Sequence, residues 1–284
     1  QQYFQQLRRL TPDPRFVRNL IRAELGAEHL EAARELLDGL AEPPREVAGE
    51  RGLLHLLVAL GMRPATETHR QMRDHNLRQA ATAFREVLAA GHGPVLEAAT
   101  NFALTAMAQG EYKLAADSFV EILRGHEGPA ELNYLAGMCY VQASCREQEQ
   151  HEAPDGRLAP LARELLASAR PFLEQALELP TLHQTVAYDL GLVHYLLGAY
   201  PRAAEILRRV ARNDSSPELL TALALALARQ AQELQLQTQT GALLSEARKR
   251  QLRHDSRALL TSAIHFFRQA LQSAPEAPLS HANL

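Results

Sequence analysis

The chain contains no tryptophan, and aromatic residues make up only 5% of its 284 residues. Runs rich in valine, isoleucine, threonine and tyrosine, which favour β-strands, are missing as well. Alanine, leucine, arginine, glutamate and glutamine are abundant instead, and these residues favour helices. The composition therefore predicts an all-α protein.

Cysteine is nearly absent, with Cys139 and Cys145 as the two examples. Six residues turn a helix through about 600°, which places these thiols on different faces, so we expect no disulfide between them. No run of about 18 uncharged apolar residues exists, and the N-terminus lacks the pattern of a signal peptide. We expect a cytoplasmic protein, with a periplasmic location as the alternative.

Motifs that carry common catalytic chemistry are also missing. A phosphate-binding P-loop needs Gly-Lys before Ser or Thr, and neither Lys113 nor Lys249 follows a glycine. The chain has no HExxH metalloprotease motif and no GxSxG nucleophile elbow. We therefore expect no catalytic residue, no cofactor and no metal, in a protein that is not an enzyme.

One residue pattern recurs six times along the chain. A small residue is followed four positions later by a large apolar one, then by a small or apolar one, and then by proline. The stretch AIHFFRQALQSAP (263–275) shows it most clearly, and in the first copy the pattern gives Ala32 and Leu36. The copies begin at Ala32, Ala80, Ala115, Ala169, Ala203 and Ala263. Each copy predicts the second helix of a helix pair.

The first helices of several pairs carry glycines at two kinds of position. Gly110 and Gly198 are expected to end their helices in short turns. Gly137 and Gly191 fall in mid-helix, where glycine costs roughly 1 kcal/mol relative to alanine. We expect a close approach of the second helix to compensate for that cost.

The order and spacing of Gly191, Gly198, Tyr200, Ala203 and Pro217 resemble a tetratricopeptide repeat, a helix–turn–helix unit of about 34 residues. The tryptophan of that family's first helix is replaced by Ala99 and Ala187. The resemblance implies an all-α, right-handed helical-repeat solenoid over residues 1–284, which we interpret as a section of a longer array. The expected repeats are 11–44, 45–94, 95–129, 130–180, 181–217 and 218–275, with partial repeats at 1–10 and 276–284.

Compact and enlarged repeats alternate along the chain. The extra residues, 62–75, 143–162 and 231–257, all fall between a first and a second helix. We expect a loop over CREQEQHEAPDGRLAP (145–160), and a helix, a turn near Gly241 and a second long helix over 232–257. Alternate repeats are therefore predicted to carry elongated, projecting helices.

The resemblance also implies that the first helices line a concave groove for a protein partner. By alignment, the partner-binding residues are Val17, Ile21, Leu53, Leu56, Thr100, Leu104, Met107, Tyr134, Met138, Val141, Tyr188, Leu192, Tyr195 and Leu225. This set is apolar, with few charges, and its tyrosines and methionines suit a peptide or an amphipathic helix. Chaperone-binding members of the family hold a C-terminal carboxylate with cations, but Val17 and Thr100 stand at two of those places.

These features favour a non-catalytic scaffold or adaptor that binds a protein partner. One alternative is a structural subunit of a larger assembly, which would use its open ends or its projecting edge. A helical-repeat RNA binder is less favoured, because the net charge is −3 and no basic groove is expected. We expect no nucleic acid partner and no membrane insertion.

Two further groups of residues are expected to have no functional role. His194 and His265 are expected to be partly buried packing residues, and the basic stretch at 246–257 is expected to be a solvated helix face.

Overall fold

The structure, a computed structural model, describes residues 14–40, 47–91, 95–125, 131–151, 158–179, 183–212, 214–241 and 243–273. These ranges contain twelve α-helices and no β-strand, which confirms the predicted all-α, helical-repeat class. The helices are α1 (Pro14–Gly26), α2 (Leu30–Asp38), α3 (Ala48–Gly61), α4 (Glu67–Ala90), α5 (Val95–Gln109), α6 (Tyr112–Gly125), α7 (Glu131–Gln150), α8 (Pro160–Ala176), α9 (His183–Leu196), α10 (Tyr200–Val210), α11 (Pro217–Thr240) and α12 (Glu246–Ser273).

The chain divides into two compact units, Gln1–Gly128 and Pro129–Leu284. Consecutive helices form pairs in each unit: α1 with α2, α3 with α4 and α5 with α6 in the first, and α7 with α8, α9 with α10 and α11 with α12 in the second. First helices also contact one another, α3 with both α1 and α5, and α9 with α11. Each unit is therefore a series of helix pairs whose first helices lie side by side.

The second helices bury the positions that the recurring pattern marks. Ala80 and Phe84 lie in the core of the first unit, and Ala203 and Leu207 lie in the core of the second. The pattern's proline is described in one copy, as Pro217 at the start of α11. The prolines at 43, 94, 129, 180 and 275, like the partial repeats predicted at 1–10 and 276–284, lie outside the described residues.

The predicted register of the first copy is wrong by one residue. Ala33 and Leu37 are the buried residues of α2, whereas Ala32 and Leu36 are partly exposed. Because four apolar or small residues stand in two adjacent pairs here, the four-residue spacing alone does not distinguish the two registers. The correction moves every position of the first pair by one residue.

The turn between α1 and α2 explains why the sequence pattern does not reveal this register. Gly110 and Gly198 adopt positive φ angles of 76° and 81°, five residues before the small residue of the second helix. Counting five residues back from Ala33 leads to Glu28, which has a φ of 60°. The same left-handed turn is therefore present, but a glutamate occupies it in place of the glycine that marks it elsewhere.

Two of the predictions for the enlarged repeats have different outcomes. The loop predicted over 145–160 is wrong at its start, because α7 continues as a helix to Gln150, and residues 152–157 lie outside the described ranges. The predicted turn near Gly241 is confirmed, since α11 ends at Thr240 and α12 begins at Glu246.

The two cysteines lie apart, as their spacing predicts. Cys139 is buried and Cys145 is exposed, and both thiols are free.

Mid-helix glycines allow three first helices to approach their second helices closely. A Cβ atom added to any of these glycines would fall well inside van der Waals contact with a large side chain. The pairs and distances are Gly52 with Phe84 (2.8 Å), Gly137 with Leu173 (2.7 Å) and Gly191 with Leu207 (2.6 Å). The packing of these buried side chains offsets the cost of a glycine within a helix.

The substitution Gly191→Ala tests this close approach. Alanine favours helices, but its methyl group would overlap the buried Leu207, so we expect the free energy of unfolding to fall by about 1–3 kcal/mol. Gly61→Ala is the matched control, because among the described residues nothing lies within 4 Å of the added Cβ. Chemical denaturation followed by circular dichroism measures both. A loss no greater in Gly191→Ala than in the control would contradict the account.

The turn at Glu28 makes the opposite prediction for a substitution to glycine. A left-handed conformation costs a residue with a Cβ about 1–2 kcal/mol, so Glu28→Gly should raise the free energy of unfolding by about 1 kcal/mol. Gly198→Ala, at the same turn position in the second unit, should lower it by a similar amount. The measurement is thermal and chemical unfolding of both variants, and destabilisation by Glu28→Gly would show that its side chain has another role.

Candidate functional site

The first helices of the second unit carry six of the predicted groove residues at half-buried positions. These side chains pack against the core of the unit and keep part of their surface exposed. On α7 and α9 they recur every three or four residues, which places them on one side of each helix. We call this set the apolar face: Tyr134, Met138 and Val141 on α7, Tyr188 and Leu192 on α9, and Leu225 on α11.

Tyr195, also predicted for the groove, is instead part of the core. Its side chain is buried, and its ring lies 5.5 Å from the ring of Tyr200, centroid to centroid. Tyr200 begins α10, directly after the turn, so the chain folds back over the last turn of α9 and covers Tyr195. The burial of Tyr195 depends on this tertiary contact, which cannot be predicted from the spacing of residues along α9.

A hydrogen bond joins two neighbouring first helices across the apolar face. The hydroxyl of Tyr134 donates to Oδ2 of Asp189 over 3.1 Å. Burial and the Asp189 carboxylate raise the pKa of Tyr134 to about 12. Burial also raises the pKa of Asp189, although the bond from Tyr134 opposes that shift. The Tyr134 hydroxyl therefore links α7 to α9.

One end of the apolar face opens into an acidic cleft of about 220 Å³ beside Tyr188. Asp214 and Glu218 contribute carboxylates to its lining, and Asp214 accepts a hydrogen bond from the backbone N–H of Ser216 over 2.9 Å. The pKa of Tyr188 is raised, first by burial and then by the charges of Asp189 and Glu218. This end of the face carries negative potential.

The middle of α11 carries a cation on the same side of the helix as Glu218. Leu225 and Arg229 follow Glu218 by seven and eleven residues, so the three side chains lie on one side and the two charges are about 16 Å apart along the axis. The interaction with the hydroxyl of Tyr195, through a hydrogen bond first, raises the pKa of Arg229. The face is thus flanked by an acidic end and a basic end.

The first unit differs from the prediction at two positions. Ile21 and Leu56 are buried in its core, at 0% and 3% exposure, and do not line an open surface. The side chain of Val17 lies outside the described part of the structure. The register correction explains Ile21: it lies twelve residues before Ala33, the position that Gly191 holds against the second helix in its own pair.

The same correction replaces Val17 and Ile21 on the first-helix surface with Arg18 and Arg22. Nε of Arg22 contacts Oε1 of Glu50 at 2.7 Å, and its Nη2 contacts Oε2 of Glu97 at 2.6 Å. Nε of Arg18 lies 3.8 Å from the same Glu50 oxygen. These ion pairs connect α1 to α3 and α5, so the expectation of few charges is wrong for the first unit.

Burial governs the electrostatics of Glu50 within this network. Its side chain is nearly inaccessible, and this burial raises its pKa although backbone hydrogen bonding and the charges of Arg22 and Arg18 lower it.

The other predicted groove residues of the first unit lie at its surface. Leu53, Leu104 and Met107 remain half-buried, and the Thr100 hydroxyl donates to the carbonyl of Leu96 over 2.9 Å. The first unit therefore presents a mixed apolar and ionic surface.

The two histidines expected to be packing residues have different environments. His194 is buried, with its Nε2 4.0 Å from Oε1 of Glu174 and without a hydrogen-bond partner in the described part of the chain. His265 is exposed, so the prediction is wrong for that residue. In the basic stretch, Arg253 and Arg257 are exposed on α12, in agreement with a solvated helix face.

The described ranges contain neither a metal-binding cluster nor a membrane-spanning helix. They contain no group of three or more His, Cys, Asp or Glu side chains placed to hold a metal ion. None of their helices combines the length and the apolar character that a membrane span requires. The absence of catalytic residues and cofactors stays a prediction from the sequence.

The buried His194 predicts a pH dependence of stability. Burial lowers its pKa, and the nearby charges of Glu174, Arg170 and Arg202 act in opposing directions. As the pH falls below about 6.5, the unfolded chain gains a proton that the folded chain resists, so stability should decrease.

Between pH 7.5 and pH 5.5 the wild type should therefore lose about 0.5–1 kcal/mol more unfolding free energy than His194→Gln. The exposed His265→Gln serves as the control and should keep the slope of the wild type. Denaturation at several pH values measures the slopes, and identical slopes for all three proteins would contradict this assignment.

The comparison with protein families agrees with the helix pairs. Residues 69–129 and 159–218 match the family model described as tetratricopeptide repeat. No curated protein matches the chain.

Solved structures with a similar fold include that of MamA protein. It is 16% identical to this chain, with a TM-score of 0.50, and the match covers 83% of this chain and 97% of MamA. A second is TTC0263, a thermophilic TPR protein in Thermus thermophilus, which is 17% identical, with 82% of this chain and 96% of that chain covered and a TM-score of 0.41. Likeness at this identity concerns the fold alone.

Proposed function

The chain belongs to the tetratricopeptide repeat superfamily, and from that premise we propose that it is a non-catalytic scaffold or adaptor that binds a protein partner on the apolar face of its second unit. The observation that carries this proposal is the partial exposure of six apolar and aromatic side chains on neighbouring first helices. A partner that covered them would bury surface that now contacts water.

The chemistry of the apolar face favours a peptide or an amphipathic helix as its occupant. Tyr188 and Leu192 lie one helical turn apart, and Met138 adds a flexible side chain that adapts to different partners. A partner side chain that becomes fully buried here contributes about 1.5–3 kcal/mol. A few such anchors are enough for specific binding, as in other helix-in-groove complexes.

The charges that flank the face give the partner a direction. Asp214 and Glu218 favour a basic residue at one end, and Arg229 favours an acidic residue at the other. A separation of about 16 Å corresponds to about five residues of extended chain or eleven residues of helix. The proposed partner segment therefore has an apolar centre between opposite charges.

A structural subunit of a larger assembly is the second candidate, and one observation favours it. Ile264 and Leu271 lie seven residues apart on one side of α12 and are 49% and 45% exposed. Large apolar side chains in this arrangement suit contact with another helix. Sedimentation at several protein concentrations distinguishes the candidates, because self-association supports the assembly and a constant monomer supports the adaptor.

Peptides selected from a display library against the whole chain provide the test of the apolar face. Tyr188→Ala and Leu192→Ala should each weaken the selected peptides by about fivefold or more, which corresponds to a loss of about 1 kcal/mol at a binding hot spot. Tyr195→Ala is unsuitable, because Tyr195 is buried and its loss would disturb the core.

Leu161→Ala is the matched control, since it removes an apolar side chain, 43% exposed, from the second helix α8. Its affinity for the peptides should equal that of the wild type. If Tyr188→Ala and Leu192→Ala also bind as the wild type does, the partner does not use the apolar face.

A further inference from the structure

An open cleft of about 480 Å³ lies in the first unit, and the function proposed above does not use it. Its walls are the first half of α5 and the second half of α6, joined by Leu88 near the end of α4. This volume falls in the range of sites that hold small molecules or single large side chains.

The cleft lies where the family's first helix carries tryptophan. Ala99 lies sixteen residues before Ala115, and Ala187 holds the same position before Ala203. Ala187 is buried in the core of the second unit. Ala99 is only half-buried and lines the open cleft, so the space that an indole ring would occupy is accessible.

The wall of the cleft on α5 is apolar. Leu96 is 39% exposed, and it lines the cleft together with Ala99 and Phe102. The guanidinium carbon of Arg85 lies 5.0 Å from the centroid of the Phe102 ring. Apolar side chains of this kind are the usual lining of sites that bury a bulky group.

The wall on α6 adds negative charge. Asp117 and Glu121 lie one helical turn apart, and both carboxylates are exposed beside the cleft. Asp117 also accepts a hydrogen bond from Nζ of Lys113 over 2.7 Å. An apolar cavity with carboxylates at its edge complements an apolar group that has a cation next to it.

We infer that this cleft is a second docking site, which takes one bulky aromatic side chain of a protein partner with a lysine or arginine beside it. The aromatic ring fills the space next to Ala99, and the cation lies near the carboxylate of Glu121. An acidic neighbour is disfavoured by repulsion. The site lies within the first unit and does not depend on the apolar face of the second.

The natural absence of tryptophan makes the test direct. Because the chain itself has no indole, the emission of a tryptophan peptide excited at long ultraviolet wavelength reports only on the peptide. The probe is the tripeptide acetyl-Lys-Trp-Lys-amide, titrated with the whole chain. Binding should shift its emission to the blue and raise its anisotropy in a saturable way, and acetyl-Glu-Trp-Glu-amide should bind about fivefold or more weakly.

Two variants of the α5 wall locate the binding. Ala99→Phe fills the cleft without adding an indole and should weaken the probe by about tenfold or more, with helicity retained by circular dichroism. If that variant does not fold, Leu96→Gln removes an exposed apolar side chain from the same wall without adding charge and should also weaken the probe by about fivefold or more. Equal binding by the wild type and by a folded wall variant overturns the inference, as does a probe that shows no saturable binding.

The charge of the cleft is tested separately. Glu121→Gln should reduce the preference for the lysine peptide over the glutamate peptide by about threefold. Glu111→Gln is the matched control, because this exposed glutamate belongs to the turn at the other end of the same helix pair. An unchanged preference in Glu121→Gln would overturn the assigned role of that carboxylate.

A variant of the second unit distinguishes this inference from the proposed function. Tyr188→Ala should leave probe binding unchanged, because Tyr188 belongs to the apolar face. Loss of the probe in Tyr188→Ala together with normal binding in Ala99→Phe would place the peptide on the second unit and overturn the cleft as a docking site.

Discussion

The close contact between the two helices of each pair is the constraint on which both units depend. Small residues recur on the second helices, and glycines in three of the first helices admit a leucine or a phenylalanine where a Cβ could not fit, as at Gly137 and Leu173. This contact costs intrinsic helix stability at each glycine, and the buried surface compensates for it. On the second helix, the small side chain of Ala203 is fully buried and likewise allows the two helices to pack closely.

This packing also decides which surfaces remain for binding. The buried sides of the helices are used within the pairs, so the first helices keep apolar side chains that the core covers only in part, such as Tyr188 and Leu192. In the first unit, ion pairs of Arg22 with two glutamates occupy much of the corresponding surface. The exposed chemistry of the two units therefore differs: the second carries an apolar face with charged groups beside it, and the first an open cleft lined by Ala99.

The fold class, the helix pairs and the turn at Gly241 could be predicted from the sequence, because helical spacing and glycine positions report local geometry directly. The register at Ala33 could not, since its turn residue is Glu28 and lacks the glycine signal. Tyr195 resembles its exposed neighbours in spacing, and only its contact with Tyr200 shows that it is buried. The ion pairs of Glu50 and the openness of the cleft depend on distances between helices, which a single sequence does not specify.

The most direct test of the central contact is a double-mutant cycle between Gly191 and Leu207. If the methyl group of Gly191→Ala destabilises the chain by overlapping Leu207, then shortening that side chain by Leu207→Ala should relieve the overlap. The account predicts that the double variant is at least about 1 kcal/mol more stable than the sum of the two single effects implies. Additive effects, measured by chemical denaturation, would mean that the two helices do not depend on this contact, and would contradict the account.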